Sequence, residues 1–217
     1  MLDVAASFVG LLLLSPILLV VAVAVRLSSP GPAIFRQQRA GRFGKPFPIL
    51  KFRTMRGASG SPGSLLTAAG DSRITPLGRW LRKTKVDELP QLWNVLVGDM
   101  SLVGPRPEVP RYTAHYSEAQ NKVFAERPGI TGPSIVLNEE ELMAGRPDKE
   151  RYYLETVLPA KLGIDLEYCR AVCFRDDLRF LLLTLLRLFR RPARGNSLPG
   201  SIEHLAGLNG VYRPRSR

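Results

Sequence analysis

From Val4 to Val25 the chain carries no charged residue. As one straight helix this run would extend about 33 Å, enough to cross a hydrocarbon core, so contact with a membrane is the first expectation. A cleaved secretory leader fits poorly, because Met1-Leu2-Asp3 lacks a basic start and no small-residue cleavage motif precedes Arg26. Midway sits Ser15-Pro16. The proline removes a backbone hydrogen bond and presses on the preceding turn, so a bend is expected there, with Ser15 available to bond a freed carbonyl. A bent helix either spans the bilayer or turns back within one leaflet. Arg26, Arg36, Arg39, Arg42 and Lys45 follow the run closely and place the body on the cytoplasmic side. Charge leaves the position of Met1 open, since only three residues precede the run.

With 217 residues the chain supports one domain with a sizeable core. It divides into a membrane segment (1–27), a body (28–191) and a Gly-, Pro-, Arg- and Ser-rich tail (192–217) expected to be poorly ordered. The formal net charge of +12 suits an anionic partner: nucleic acid, a phosphorylated substrate or an acidic leaflet. Nucleic acid is disfavoured, because the aromatic residues are not interleaved with the basic ones as single-strand platforms require. Cys169 and Cys173 are four apart in a helix-like stretch, which places them on one face as reduced thiols. Neither His115 nor His204 is near them in sequence, so spacing gives no support to a zinc site.

The body reads as α+β and mostly helical. Ser28-Ser29-Pro30-Gly31-Pro32 is a loop of helix breakers. Residues 33–38 and 47–53 read as strands of a short hairpin turning over 40–45, with Lys51 and Arg53 on one face and Leu50 and Phe52 on the other. Residues 57–70 are small, polar and Gly/Pro-rich, as in a mobile surface loop. A helix from near Pro76 carries Trp80, Leu81, Arg82 and Lys83. Another follows Asp87-Glu88-Leu89-Pro90 and stops at Gly98, with Leu89, Leu92, Trp93 and Leu96 in the pattern of a buried face. Residues 152–173 suit one or two further helices, and 177–191 another. In that last helix Arg179, Arg187, Arg190 and Arg191 fall within about 120° of one another, and leucines and phenylalanines fill much of the remainder. It reads equally as an amphipathic interfacial helix among lipid phosphates or as a surface helix packed on the core.

Asp87 sits just ahead of a helix with Pro90 in its first turn, and taken alone it reads as an N-cap, with Glu88 favoured by the dipole. A helix start also suits a phosphate, however, and Arg82, Lys83 and Lys85 lie immediately upstream. Further on, Pro105 and Pro107 restrict the backbone on either side of Arg106, a pre-set arginine suited to clamping a diphosphate. Asp99 suits a turn as well as it suits chemistry.

Four runs then appear in order: Lys51-Phe52-Arg53-Thr54-Met55, Asp87 through Leu96, Gly98 through Pro107, and Arg127-Pro128-Gly129-Ile130-Thr131-Gly132. Together they strongly resemble the bacterial sugar transferase family, the monotopic phosphoglycosyl transferases, over roughly residues 1–190, in its small core-only form. The resemblance implies a compact catalytic core ringed by interfacial helices on the cytoplasmic face of the bacterial inner membrane. It implies transfer of a sugar-1-phosphate from a UDP-sugar to a polyprenol phosphate such as undecaprenyl phosphate, releasing UMP and starting glycoconjugate synthesis. Asp87 is the implied nucleophile, carrying the phosphosugar covalently, and Glu88 its partner. Mg2+ is implied near Asp87 and the diphosphate. Arg82 and Arg106 match the family's phosphate-contacting positions, with Lys51 and Arg53 in the first run assigned with them, and Asp177 matches another acidic position. Ser15-Pro16 is the implied turn of a re-entrant helix, with both ends cytoplasmic. A homodimer is compatible with this reading. So is a second class of function, a non-catalytic membrane-anchored scaffold, although the intact Asp-Glu pair and both arginines argue against it.

The resemblance weakens after Gly132. The family's Trp and Asn-Gly-Arg-like segment is replaced by Pro133-Ser134-Ile135-Val136-Leu137 and then Asn138-Glu139-Glu140-Glu141. That acidic cluster reads as a solvated helix start or as part of an altered sugar pocket. Arg175 stands where an aromatic residue is common ahead of the last helix.

Overall fold

The uncharged N-terminal run forms one helix, α1 (Leu2–Ser28), which continues through Pro16. The carbonyl that Pro16 cannot serve is that of Leu12, four residues back, and the Ser15 hydroxyl donates to it at 2.8 Å. The structure, a computed structural model, describes residues 2–56, 67, 71–137, 139–143 and 145–189. The expected loop over 57–70 lies almost wholly outside the described residues, as does the tail over 192–217.

Both ends of α1 rest on the same body. In its first turn, Asp3 accepts a hydrogen bond from the Ser101 hydroxyl at 2.6 Å. Near its middle, Gly10 brings the backbone against Leu92. At its far end Val21 and Val25 pack with Phe52 and Leu81. A carbonyl in the last turn, where a helix cannot satisfy its own acceptors, and two in the loop beyond it are met by arginine: the Arg53 guanidinium donates to Val25 O at 3.2 Å, to Ser29 O at 2.6 Å and to Pro32 O. Most of the opposite face of α1 is exposed and apolar, with Leu12, Leu13, Leu19 and Val20 all more than 60 % accessible.

The expected hairpin is present. Strands β1 (Ile34–Ala40) and β2 (Pro46–Phe52) pair antiparallel, with Ile34 opposite Phe52 and Ala40 opposite Pro46. One detail differs: Arg53 lies beyond the strand, and Lys51 follows the parity of buried Phe47 and Ile49, so the two cations diverge.

Helix α2 (Pro76–Thr84) is capped by Thr75, whose hydroxyl accepts from Gly78 N at 2.8 Å. Helix α3 (Gln91–Leu96) is short, and its buried side is not the apolar stripe read from spacing. Gln91, Asn94 and Val95 are buried, Leu89, Leu92 and Leu96 are half-buried, and Trp93 is exposed. The reason is Asn94: its side chain accepts from Leu50 N at 3.0 Å and donates to Pro48 O at 2.9 Å, extending the β2 backbone ladder inward. Helix α1 covers the apolar side instead, through Leu92 near Gly10.

A second sheet joins the two glycine-rich runs. Strands β3 (Ser101–Val103) and β4 (Gly129–Thr131) pair parallel, Ser101 opposite Gly129 and Val103 opposite Thr131. A Cβ on Gly132 would lie 2.0 Å from Gly104 O, and one on Gly104 would lie 2.3 Å from Arg127 O. These glycines are required by backbone-to-backbone approach.

Helices α4 (Pro110–Thr113), α5 (Glu139–Leu142), α6 (Lys149–Tyr152), α7 (Leu158–Arg170) and α8 (Phe174–Phe189) complete the body. A π-helical turn, residues 153–157, joins α6 to α7. Helix α7 ends at Arg170, so Cys173 lies in the connection rather than on a shared face with Cys169, and both thiols are free. Helix α8 buries Phe180 against Val103 and Tyr168 and exposes Phe174, Leu178, Leu182, Leu185 and Leu186.

Candidate active site

Helix α2 is ended by Lys85 in the left-handed region (φ 57°), and the chain then tightens into a 3-10 turn, Val86–Glu88. This turn, rather than a helix cap, sets the two carboxylates. Pro90 stands at the N-cap of helix α3 with no side-chain cap bond, so Asp87 does not cap it. Asp87 is 6 % exposed and Glu88 9 %.

The two adjacent acids have opposite environments. Glu88 Oε1 accepts from Lys51 Nζ at 2.8 Å and pairs with Arg106 Nη2 at 3.5 Å. Burial disfavours its charged form, but Lys51, Arg106 and Lys85 outweigh burial and hold the carboxyl well below the usual range. Glu88 in turn pushes the Arg106 guanidinium further up. Asp87 is the reverse case: burial first, and then the Glu88 charge, raise its pKa against Lys51, Lys85 and Arg82. Its Oδ1 is buried without a hydrogen-bond partner. A buried orphan acceptor is costly. Glu88 is thus an anion that organises two cations through Oε1, and Asp87 keeps an unspent oxygen. Pairs of acids driven apart in this way take different chemical roles.

The cations come from separate elements. Lys51 projects from β2 and is aligned by the hairpin and Asn94. Arg82 projects from α2, and its Nε donates to Thr54 Oγ1 at 3.0 Å. Arg106 stands between Pro105 and Pro107, each of which fixes the backbone through its carbonyl: Pro105 O accepts from Gly129 N at 2.9 Å, and Pro107 O from Arg39 Nη1 at 3.1 Å.

The structure therefore brings together Asp87, Glu88, Lys51, Arg82 and Arg106, with Pro105 and Pro107 as the frame. Arg53 is placed elsewhere, on the end of α1. Asp177 is also apart, in the first turn of α8, where it accepts from Tyr168 Oη at 2.7 Å. Ser15 and Pro16 stay within α1.

Behind Arg106 lies a set of residues that sequence reasoning missed. Glu108 Oε2 accepts from Lys161 Nζ at 2.7 Å and from the Tyr153 hydroxyl, and its Oε1 pairs with Arg39 at 3.3 Å. Glu108 directly follows Pro107, a local signal that was available. Lys161 and Tyr153 had none, because they arrive from α7 and the π-turn far along the chain.

Among the described residues, no three His, Cys, Asp or Glu side chains converge as a metal cage. A hard cation held by one carboxylate and by substrate phosphates needs no such cage. The orphaned Asp87 Oδ1 fits that arrangement.

A family model described as bacterial sugar transferase matches residues 1–191. The UDP-glucose:undecaprenyl-phosphate glucose-1-phosphate transferase of Caulobacter vibrioides is 41% identical over 187 residues, 85% of this chain and 67% of that protein. The enzyme of the same name from Escherichia coli is 38% identical over 193 residues, 86% of this chain but only 39% of that longer protein. The UDP-N-acetylgalactosamine-undecaprenyl-phosphate N-acetylgalactosaminephosphotransferase of Aeromonas hydrophila is 42% identical over 139 residues, 63% of this chain and 33% of that one. Over nearly its whole described length, with its four motif runs folded around one acidic pair, the chain belongs to the bacterial sugar transferase family.

Proposed function

We propose that this protein transfers a sugar-1-phosphate from a UDP-sugar to a polyprenol phosphate, with Asp87 as the covalent nucleophile. The observation that carries this reading is the contrast within the acidic pair: Glu88 is bound to Lys51 and Arg106, while Asp87 Oδ1 is buried and unpartnered. In the first displacement a carboxylate oxygen of Asp87 bonds to the β-phosphorus and the bridging P–O bond breaks, releasing UMP. In the second, an oxygen of the lipid phosphate attacks that phosphorus, and the carboxylate leaves. Division into two displacements is the gain from covalent catalysis.

Arg106 and Lys51, already aligned by Glu88, sit where they can meet charge on the transferred phosphoryl group, at no cost of reorganisation. Arg82 approaches from the α2 side. Mg2+ held by Asp87 and the diphosphate would supply further charge neutralisation.

The lipid substrate fits the placement of α1. A spanning helix would carry its first turn to the far side of the bilayer, yet Asp3 touches Ser101 while Arg53 holds the other end. That favours a helix that enters and leaves on one side, the cytoplasmic side of the inner membrane, with the acceptor phosphate presented at the same surface. The outward leucines of α8 suit the same interface. Relatives named for glucose and for N-acetylgalactosamine transfer make both UDP-sugars the first donors to try.

The test is UMP release from a panel of UDP-sugars with Mg2+ and undecaprenyl phosphate. Activity that Asp87→Asn abolishes is expected. Activity that survives this substitution would remove the assigned nucleophile.

A further inference from the structure

The acidic segment after Gly132 matched no motif, and the structure gives its first residue a specific place. Glu139, at the start of α5, points its Oε1 at two cations: Lys161 Nζ at 3.0 Å and Arg106 Nε at 3.7 Å. Arg106 is the guanidinium that also faces Glu88, beside Asp87. The charges therefore alternate without a break from the acidic pair into the core: Lys51, Glu88, Arg106, Glu139, Lys161, Glu108, Arg39.

The inner end of this chain is rigid. Lys161 is 2 % exposed and Glu108 5 %, and the Tyr153 hydroxyl completes Glu108. Tyr153 opens the π-turn, a helix irregularity often found where a side chain has to be aimed. Lys161 is held strongly protonated: burial opposes its charge, and Glu108 and Glu139 overcome that opposition. The same pairing, against burial, brings the Glu139 carboxyl down to about 2. A buried ion pair adds little stability compared with apolar packing, and it gives orientation instead. What it orients here is the half-exposed member: Arg106 is 36% exposed at the side chain, against 2% for Lys161.

Resting on the transferase reading above, we infer that Glu139 is a positioning residue of the reaction, acting through Arg106. Glu88 and Glu139 hold the guanidinium from two sides, and the Lys161–Glu108 pair fixes Glu139 to the core. Arg106 thus meets the transferred phosphoryl group in a preset orientation rather than as a free surface arginine. Glu139 itself touches neither donor nor acceptor.

A double-mutant cycle in the UMP-release assay separates this role from a general packing effect. Glu139→Gln keeps the shape and loses the charge. Expected is a drop of at least about 10-fold in kcat, with KM for the UDP-sugar changed by less than about 3-fold. In an Arg106→Ala background the same substitution should cost less than about 2-fold, because the residue it acts through is gone. An equal loss in both backgrounds, or no loss in the native one, overturns the inference. A wild-type protein that turns over no UDP-sugar would instead count against the transferase reading. The contact then remains testable by phenylglyoxal modification of Arg106, followed by mass spectrometry. Modification should be at least about 5-fold faster in Glu139→Gln than in wild type, and equal rates overturn the inference.

Discussion

The Ser101 hydroxyl lies 2.6 Å from the Asp3 carboxylate, tying the first turn of the long apolar helix to the strand that leads into the Arg106 segment. The two residues are 98 positions apart in sequence, and under the function proposed above the contact keeps both ends of α1 on one side of the bilayer. A cysteine replacing Leu2 should be protected from an impermeant periplasmic reagent in intact cells and labelled once the cells are permeabilised. Labelling in intact cells would mean that α1 spans the bilayer and that Asp3 leaves Ser101.

The two arginines once grouped together should behave differently. Arg53→Ala removes the donors to the Val25, Ser29 and Pro32 carbonyls, so it should lower thermal stability, by about 1–3 kcal/mol for the stranded acceptors. KM for the UDP-sugar should stay within about 3-fold. Arg106→Ala should reduce kcat/KM by about 10²-fold or more, and it should lower the unfolding temperature as well, because Glu88 and Glu139 each lose a cation. Steady-state kinetics and thermal unfolding in detergent check both.

Gly132 and Gly163 offer a matched pair. An added Cβ at Gly132 meets the Gly104 carbonyl at 2.0 Å, whereas at Gly163 nothing lies within 4 Å. Gly132→Ala should therefore destabilise by about 1–3 kcal/mol and impair transfer, because Gly104 leads directly into Pro105 and Arg106. Gly163→Ala, within α7, should be neutral or stabilising by up to about 1 kcal/mol. Unfolding temperatures of the two variants measured side by side decide it.

Asp165 gives a pH dependence. Burial pushes its carboxyl up to about 7, opposed by Lys161, Ser134 and the Arg106 backbone. Because the folded value lies above the ordinary one, 3.8, the stabilisation is fully present below about pH 4 and is lost as pH rises through 7. A shift of that size corresponds at most to about 4 kcal/mol. The unfolding temperature of Asp165→Asn should fall less than that of the wild type between pH 5 and 8. Parallel curves would show that Asp165 is not the group responsible.

Local information in the chain carried much of this. The uncharged run, the hairpin and the helix start near Pro76 are each set by neighbours in sequence, and each formed where the sequence placed it. The α3 face was misread because Asn94, a polar residue, is the one that enters the sheet, and apolar spacing cannot register a side chain acting as backbone. The parallel β3–β4 pair joins segments 28 residues apart through three-residue strands, too short for periodicity to reveal, although the glycines that permit it were visible. In the site, Asp87, Glu88 and Arg106 were legible as motif residues. Arg53 was grouped with Lys51 because alternation puts both on one face of an extended strand, but β2 ends at Phe52 and Arg53 turns to the end of α1. Lys161 and Tyr153 were invisible because only tertiary folding brings them to Glu108.

The central claim is that Asp87 carries the phosphosugar. Incubating the purified protein with a UDP-sugar and Mg2+ but no lipid acceptor, and then mapping the quenched protein by mass spectrometry, tests it most directly. The expected result is a sugar-phosphate adduct on the peptide containing Asp87, formed with UMP, absent in Asp87→Asn and discharged on addition of polyprenol phosphate. An adduct on another residue, or UMP release that Asp87→Asn leaves intact, would contradict it.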